Sequence, residues 1–398
     1  MLFDGLKFRK ASYKIRPVDL LGEGTSIGMR FRVRFILFLS FLLVACSRAP
    51  SNLPLKTVPP PRFSNFETDA NVKSLALDGD DLWLGMANGV IRYNTKTIDQ
   101  HEIFTAGSTG GFLSNGIYKI AVDAQGNKWI GTYGGGLSRF DGHQWTVFTP
   151  YGSGKISYGQ DWSVYPSGSG LGDLWVYDIF FDSDGTLWLA TWKGVSHFDG
   201  RSFRTYTQQD GLLDKWVYSI AKDRNGVFWF GTEGGVSRFD GRHWTGYTHR
   251  DGLGAEVNES PPKEGATGYA EGRHHRSEGK ENRLANPNFV LHIAIDQADN
   301  KWIGTWGAGL SRFNGKTWVT YTAGKGTISG NFIHALEIDA KGILWAGTEN
   351  GVSKFDGRTW KTYTTADGLI DNNVFSIAFD AEGNKWFGTW LGLSKMTE

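Results

Sequence analysis

The 398-residue chain has one cysteine, Cys46, which excludes an intrachain disulfide framework and any zinc site built on paired cysteines. It has no surplus of either charge. Lys and Arg number 42 and Asp and Glu 41, a formal net charge of +1, so the basic excess of a nucleic-acid binder is missing. The apolar stretch Phe35 to Ala45 is too short to span a bilayer. Proline is sparse at 11 residues, five of them within 50–61. What is abundant is glycine, at 54, and tryptophan, at 17, and aromatic residues make up 14%. That composition suits many short strands joined by tight turns and does not fit a disordered chain.

The apolar stretch has informative flanks. Met29-Arg30-Phe31-Arg32-Val33-Arg34 precedes it and Cys46 comes directly after it, the order of a secretory signal. Leu43-Val44-Ala45-Cys46 resembles a bacterial lipobox, which implies cleavage before Cys46 and a lipid on its sulfur; the alternative is a buried helix ending in a chance cysteine. Residues 1–28 fit neither a signal nor a repeat, so Met29 is the expected start, with 1–28 an over-extended gene model and 29–45 the signal peptide. Cleavage would leave 34 basic and 38 acidic residues, a net charge of −4. Residues 46–61, with Pro50, Pro54 and Pro59-Pro60-Pro61, read as an extended tether. Ser47 stands where aspartate commonly retains a lipoprotein in the inner membrane, which favours an extracytoplasmic, outer-membrane address where that membrane exists.

Residues 62–398 are repetitive. Ile120-Ala121-Val122-Asp123-Ala124-Gln125-Gly126-Asn127-Lys128-Trp129-Ile130-Gly131-Thr132 recurs as Ile377-Ala378-Phe379-Asp380-Ala381-Glu382-Gly383-Asn384-Lys385-Trp386-Phe387-Gly388-Thr389. Equivalent tryptophans fall at 83, 129, 188, 229, 302, 345 and 386, a period just over forty with two insertions, at about 150–172 and 252–288. Each copy holds four strand-sized pieces: an alternating segment such as Val217 to Asp223, a tryptophan strand, Val236 to Phe239 after Gly234-Gly235, and, beyond an Asp-Gly hairpin signal, Trp244 to Thr248. Small residues lie on the first piece and large aromatics further out, as blades diverging from an axis require. The expected fold is all-β, a seven-bladed propeller of four-stranded blades. The last copy lacks its outer Trp-x-x-Tyr-Thr strand, while Phe63-Ser64-Asn65-Phe66 has the same spacing at the other end. The N-terminal strand is therefore expected to complete the last blade and close the ring.

The pattern Ile-Ala-x-Asp-x-x-Gly-x-x-Trp-x-Gly-Thr, followed by Gly-[Val/Leu]-Ser-[Arg/Lys]-Phe-Asp-Gly, resembles the two-component-regulator propeller repeat over about residues 62–398. The resemblance implies an extracytoplasmic sensor role, since such propellers commonly form the sensing region of hybrid histidine kinases, many responding to glycan fragments. The sequence departs from the usual arrangement: it shows one propeller, no following β-sandwich, and no transmembrane helix or kinase after Glu398. Only the binding role carries over, possible partners being a small-molecule ligand or a signalling protein.

Motifs for chemistry are scarce. His274-His275 sits in a polar Gly-, Glu- and Arg-rich segment, Asp182-Ser183-Asp184-Gly185 is a hairpin turn without the later glutamate of a calcium loop, and Tyr133-Gly134-Gly135-Gly136 precedes no helix that could cradle phosphate. No metal, cofactor or catalytic residue is expected from them. One turn, between the second and third strands, varies while its frame repeats: Ala87, Tyr133, Trp192, Glu233, Trp306, Glu349 and Trp390. Tyr133, Trp192, Trp306 and Trp390 with Glu233 and Glu349 form the candidate ligand site, aromatic faces for a sugar ring and carboxylates for its hydroxyls. The bland alternative is that the aromatics pack under neighbouring loops. Tyr151, Tyr158, Trp162 and Tyr165 of the first insertion are expected on the same face. Two further readings remain. One is a lyase resembling the seven-bladed enzymes that act on cyclic peptides through a histidine and a metal near the axis, for which His292 and His334 are the candidates although their side-chain parity differs. The other is a protein-docking scaffold.

Overall fold

The computed structural model describes residues 61–398 apart from 99, 110, 151, 156–169 and 258–284, and only the backbone at 152–155. The signal, the Cys46 lipidation site and the tether at 46–60 lie outside the described residues, as does most of both insertions. Among the described residues no helix is long and apolar enough to cross a membrane.

Seven antiparallel sheets form the blades of a propeller. Their innermost strands are Val72–Asp78, Ile117–Val122, Val176–Phe181, Val217–Lys222, Asn286–Ile295, Ile333–Ile338 and Val374–Phe379, heading blades 1 to 7 in turn. Blade 2 departs from the four-strand expectation: Gly152–Lys155, at the start of the first insertion, pairs outside Trp145–Thr149 as a fifth strand. The closing strand is where the spacing places it. Arg62–Glu67 pairs with Gly392–Thr397 from Arg62↔Thr397 to Glu67↔Gly392 and becomes the outer strand of blade 7.

The repeat residues explain the blade. In five blades the turn aspartate accepts hydrogen bonds from main-chain N–H groups of its own turn and from the indole of the tryptophan six residues on, whereas the Trp83 and Trp188 indoles of blades 1 and 3 have no such partner. Trp129 Nε1 donates to Asp123 at 2.8 Å, Trp302 to Asp296 at 2.9 Å and Trp386 to Asp380 at 2.8 Å. The glycine before the second-strand threonine lies against the next blade's innermost strand: a Cβ at Gly347 would sit 2.6 Å from the Val374 carbonyl oxygen. The third-strand serine accepts a main-chain N–H from the incoming connection, as Ser237 does from Leu213 at 2.9 Å and Ser394 from Ile370 at 3.0 Å. Three of those connections, from Thr207, Thr248 and Thr364, run Thr-x-x-Asp-Gly-Leu. Asp210 accepts the N–H of Thr207 at 2.8 Å in a 3₁₀ turn, Gly211 leaves it at φ 115°, and Leu212 is buried between blades.

The core is a ring of seven apolar seams, one at each blade boundary. Trp345, Tyr363, Ile377 and Phe387 pack with Phe63 at the join of blades 6 and 7, and Val72, Leu84, Trp386 and Leu393 with Phe66 at the join of blades 7 and 1. The two aromatics of the closing strand thus insert into the two seams that bound the last blade.

Candidate functional site

The variable turns and the connections into the innermost strands meet on one face. Tyr133 N–H donates to the Gly116 carbonyl at 2.8 Å, Glu233 N–H to that of Trp216 at 3.2 Å, and Trp390 N–H to that of Asn373 at 3.2 Å. Each variable residue therefore sits beside the residue just before its own innermost strand.

Three of the four candidate aromatics are packed among other rings. Tyr133 lies 3.7 Å from Trp175 between ring centroids, and Trp175 stacks on Trp192 at 3.8 Å with planes 15° apart. Trp192 also approaches Trp216 at 6.3 Å, so Tyr133 and Trp192 belong to one cluster spanning blades 2 to 4. Trp306 belongs to a second, stacked on Phe289 and edge-on to Phe332 at 5.0 Å. Trp390, over Phe375, is the most open at 39% exposure. Glu349 is turned inward: its two carboxylate oxygens accept the main-chain N–H groups of Asn331 and Phe332, at 3.0 and 3.1 Å. Burial raises its pKa above the usual carboxylate range, although those N–H donors pull it down. Glu233 accepts the Tyr218 hydroxyl at 3.3 Å.

Beneath the turns lies a tier that periodicity did not reveal. Every innermost strand carries a β-bulge at its start, between Val72 and Ser74 in blade 1 and between Val374 and Ser376 in blade 7, for example. The extra residue breaks the in-out alternation. The bulged residues are Lys73, Tyr118, Tyr177, Tyr218, Leu291, His334 and Phe375. Most of them touch in sequence. The Lys73 ammonium stands 4.8 Å over Tyr118, Tyr118 meets Tyr177 at 4.3 Å, Tyr177 meets Tyr218 at 4.8 Å, and Tyr218 meets Phe289 at 4.7 Å. Through Trp306 the arc continues to His334 at 6.1 Å, then to Phe375 at 5.4 Å. An aromatic arc with a cation at one end thus floors the mouth. Burial lowers Lys73 to about 8 and raises the phenols of Tyr118, Tyr177 and Tyr218.

The two axial histidines are neighbours in different tiers, the His292 ring meeting the main chain of His334. His334 is buried in the arc between Trp306 and Phe375, and burial takes its pKa to about 3. His292 sits at the register of Ser219, opposite a second-strand glycine, and lines a cavity below the arc. Burial lowers it to about 4, with Lys119 adding to the effect. Both rings are neutral near pH 7. Among the described residues no group of three or more His, Cys, Asp or Glu could hold a metal.

Trp175, Trp216, Phe289 and Phe332 were not singled out by the sequence. Each immediately precedes an innermost strand's first Val or Ile, and aligning the copies from that residue backwards would have found them.

Blades, register and repeat residues together define a seven-bladed β-propeller. The family model described as two component regulator propeller matches residues 170–193, 211–234 and 327–350, so those three segments carry its repeat. No curated protein matches the sequence. Among solved structures, it is similar to the extracellular domain of the putative hybrid two component system BT3049 from B. thetaiotaomicron, at 21% identity and a TM-score of 0.62, over 85% of this chain and 41% of that one. It is similar at 21% identity to the extracellular domain of BT4673 from the same organism, with a TM-score of 0.58, over 84% of this chain and 39% of that one. The chain thus spans about two fifths of each. Virginiamycin B lyase from Staphylococcus aureus shares 13% identity and a TM-score of 0.55, over 85% of this chain and 99% of the enzyme. At these identities the likeness is one of fold.

Proposed function

We propose that the face carrying the variable turns binds a ligand with apolar ring faces and hydroxyls, a glycan or a similar small molecule. The protein would act outside the cytoplasm, lipid-anchored through Cys46, as the binding partner of a two-component signalling protein. The observation that carries the reading is the aromatic surface itself: the Tyr133–Trp175–Trp192 stack on one side of the mouth and the exposed Trp390 on the other. Indole and phenol faces stack on the C–H face of a sugar, and Glu233 and Asp214, which flank Trp216 at the edge of that stack, supply acceptors for hydroxyls. The solved extracellular domains of similar fold come from putative two component systems, which agrees with a sensing role.

The test separates binding from folding. Trp390→Ala is expected to leave stability within about 0.5 kcal/mol of the parent, because the ring is exposed, and to weaken the hit from a glycan screen followed by tryptophan fluorescence. Trp192→Ala should cost both, since its indole is stacked on Trp175. If Trp390→Ala and Tyr133→Ala both bind like the parent, the mouth is not the site. For the anchor, Cys46→Ala should abolish incorporation of labelled fatty acid and release the protein from the membrane fraction. Retained labelling would refute lipidation at Cys46.

A further inference from the structure

Where blades 5 and 6 meet, the connection between them departs from the frame, and a groove of about 500 Å³ lies beside the outer strand of blade 6. At four other joins a glycine of the incoming connection is set against the outer aromatic of the blade it enters. A Cβ at Gly211 would sit 2.9 Å from the Trp244 side chain, one at Gly252 3.0 Å from Trp318 and one at Gly368 3.1 Å from Phe63, and Gly111 is set more closely still against Trp145. The connection into blade 6 is one residue longer, Thr322 to Ile328 against Thr207 to Leu212, Thr248 to Leu253 and Thr364 to Leu369. A Cβ at its Gly326 would meet nothing within 4 Å, and Trp360 forms a wall of the groove.

A second departure sets the chemistry. The residue whose N–H ties the connection to the third-strand serine is Leu213 in blade 4 and Ile370 in blade 7, but Ser329 in blade 6, bonded to Ser353 Oγ at 2.9 Å. Leu213 packs on Gly246 of its outer strand, at the register place that Thr362 holds in blade 6. Four hydroxyls replace that apolar contact. Each has one proton, so the direction of their bonds follows from the inner end. Thr348 Oγ1 donates to the Gly351 carbonyl at 3.0 Å. Ser329 then donates to Thr348, Ser353 to Ser329 and Thr362 to Ser353, each at 2.9 Å. A chain run the other way would leave the Ser329–Thr348 contact without a proton. Thr362 Oγ1 therefore reaches the groove with its proton committed and only lone pairs to offer. Thr364 is in the same state, donating to Asp367 at 3.1 Å, which leaves Thr327 as the hydroxyl donor on these walls.

The walls select the occupant. No charged side chain lines the groove, so an ion of either sign would lose water there without meeting a counter-charge. Acceptors outnumber donors, which favours a ligand rich in O–H groups, and the Trp360 indole offers a flat face to a ring of C–H groups. A hexopyranose has both, and its hydroxyls also accept from Thr327.

We propose that the groove between blades 5 and 6 is a second binding site, separate from the mouth, for an uncharged hexopyranose ring that lies on Trp360 and donates a hydroxyl to Thr362 Oγ1. The probes are methyl β-D-glucopyranoside and methyl β-D-galactopyranoside, titrated against the purified full-length protein and read by saturation-transfer difference NMR, with glycerol as the polyol lacking a ring face. At least one glycoside should give a saturable response and glycerol should give none. Trp390→Ala should retain that response, so failure of the mouth reading leaves this site standing. In the Trp390→Ala chain, Ser329→Leu with Thr362→Gly, the pair blade 4 carries at these places, should fill the groove and abolish binding. Thr362→Val keeps the bulk of the side chain and should weaken binding about threefold to tenfold, the share of one neutral hydrogen bond. The proposal is overturned if neither glycoside binds the parent, or if binding persists in the filled groove. Binding lost in Trp390→Ala alone also overturns it, and supports the mouth instead. Should the double substitution unfold the domain, Thr362→Val decides, and unchanged affinity there overturns the proposal.

Discussion

Deleting residues 62–67 is expected to lower unfolding free energy by about 3–6 kcal/mol and to make the domain aggregate on heating. Phe63 and Phe66 fill the seams on either side of blade 7, and burying such a side chain contributes about 1.5–3 kcal/mol. Asn65 adds polar ties across more than 300 positions of sequence: its amide donates to the Gly368 carbonyl at 2.9 Å, and its oxygen accepts the Ser394 hydroxyl at 2.7 Å. Without the strand, Gly392–Thr397 becomes an open edge, a template for pairing with another copy. The check is urea unfolding of the deleted and parent domains with light scattering during melting. Coincident transitions would mean that blade 7 holds without its N-terminal strand. A double substitution, Phe63→Ala with Phe66→Ala, separates the packing share from the pairing share, because it leaves the backbone ladder in place.

The same residues show why the ring was legible from sequence. Except for blade 7, a blade is a local object whose strands all fall within about forty residues of one another, and its fixed points are residue types with one job each. The Asp-x-x-Gly turn must cap the tryptophan, Gly-Thr must let the next blade approach, and Asp-Gly must close the hairpin. The closing strand was readable because its spacing survived at the far end of the chain. Other features left no such trace. Gly152–Lys155 has the composition of a loop, and it is a strand only because the edge of blade 2 was free to pair. The aromatic arc depends on bulges, and a bulge of one residue reverses the face a side chain takes without altering the apparent alternation. Glu337 and Lys119 are more than 200 positions apart and face one cavity only because the ring closes. At the mouth, the variable turn residues were visible as departures from a repeating frame. Their partners Trp175 and Trp216 were not, because the connections that hold them differ in length from blade to blade.

The second large effect concerns the turns on the opposite face. Asp223→Ala is expected to cost about 3–5 kcal/mol at pH 7, the scale for breaking a buried pair by removing one partner. One carboxylate oxygen accepts the N–H groups of Asn225 and Val227 at 3.0 and 3.1 Å; the other accepts the Trp229 indole at 3.0 Å and stands 3.3 Å from the ammonium of Lys301 in the next blade. Lys301 is buried and keeps Asp299 at 2.8 Å, which should hold the loss toward the lower end. Asp223→Asn retains an acceptor for the turn and should cost less. The pH dependence comes from the same contacts. Burial pushes the Asp223 carboxyl up, but the Trp229 indole, the Val227 N–H and Lys301 outweigh it and hold the pKa below the ordinary 3.8. The unfolded chain therefore binds this proton more readily than the native one. The stabilisation is fully present above the unfolded pKa and disappears as pH falls through the lower native value. Urea unfolding of parent and Asp223→Asn should accordingly differ by a constant amount between about pH 5 and 7, with the gap narrowing below about pH 4. A gap that persists unchanged at pH 3 would mean that the ionised carboxylate is not what joins blades 4 and 5.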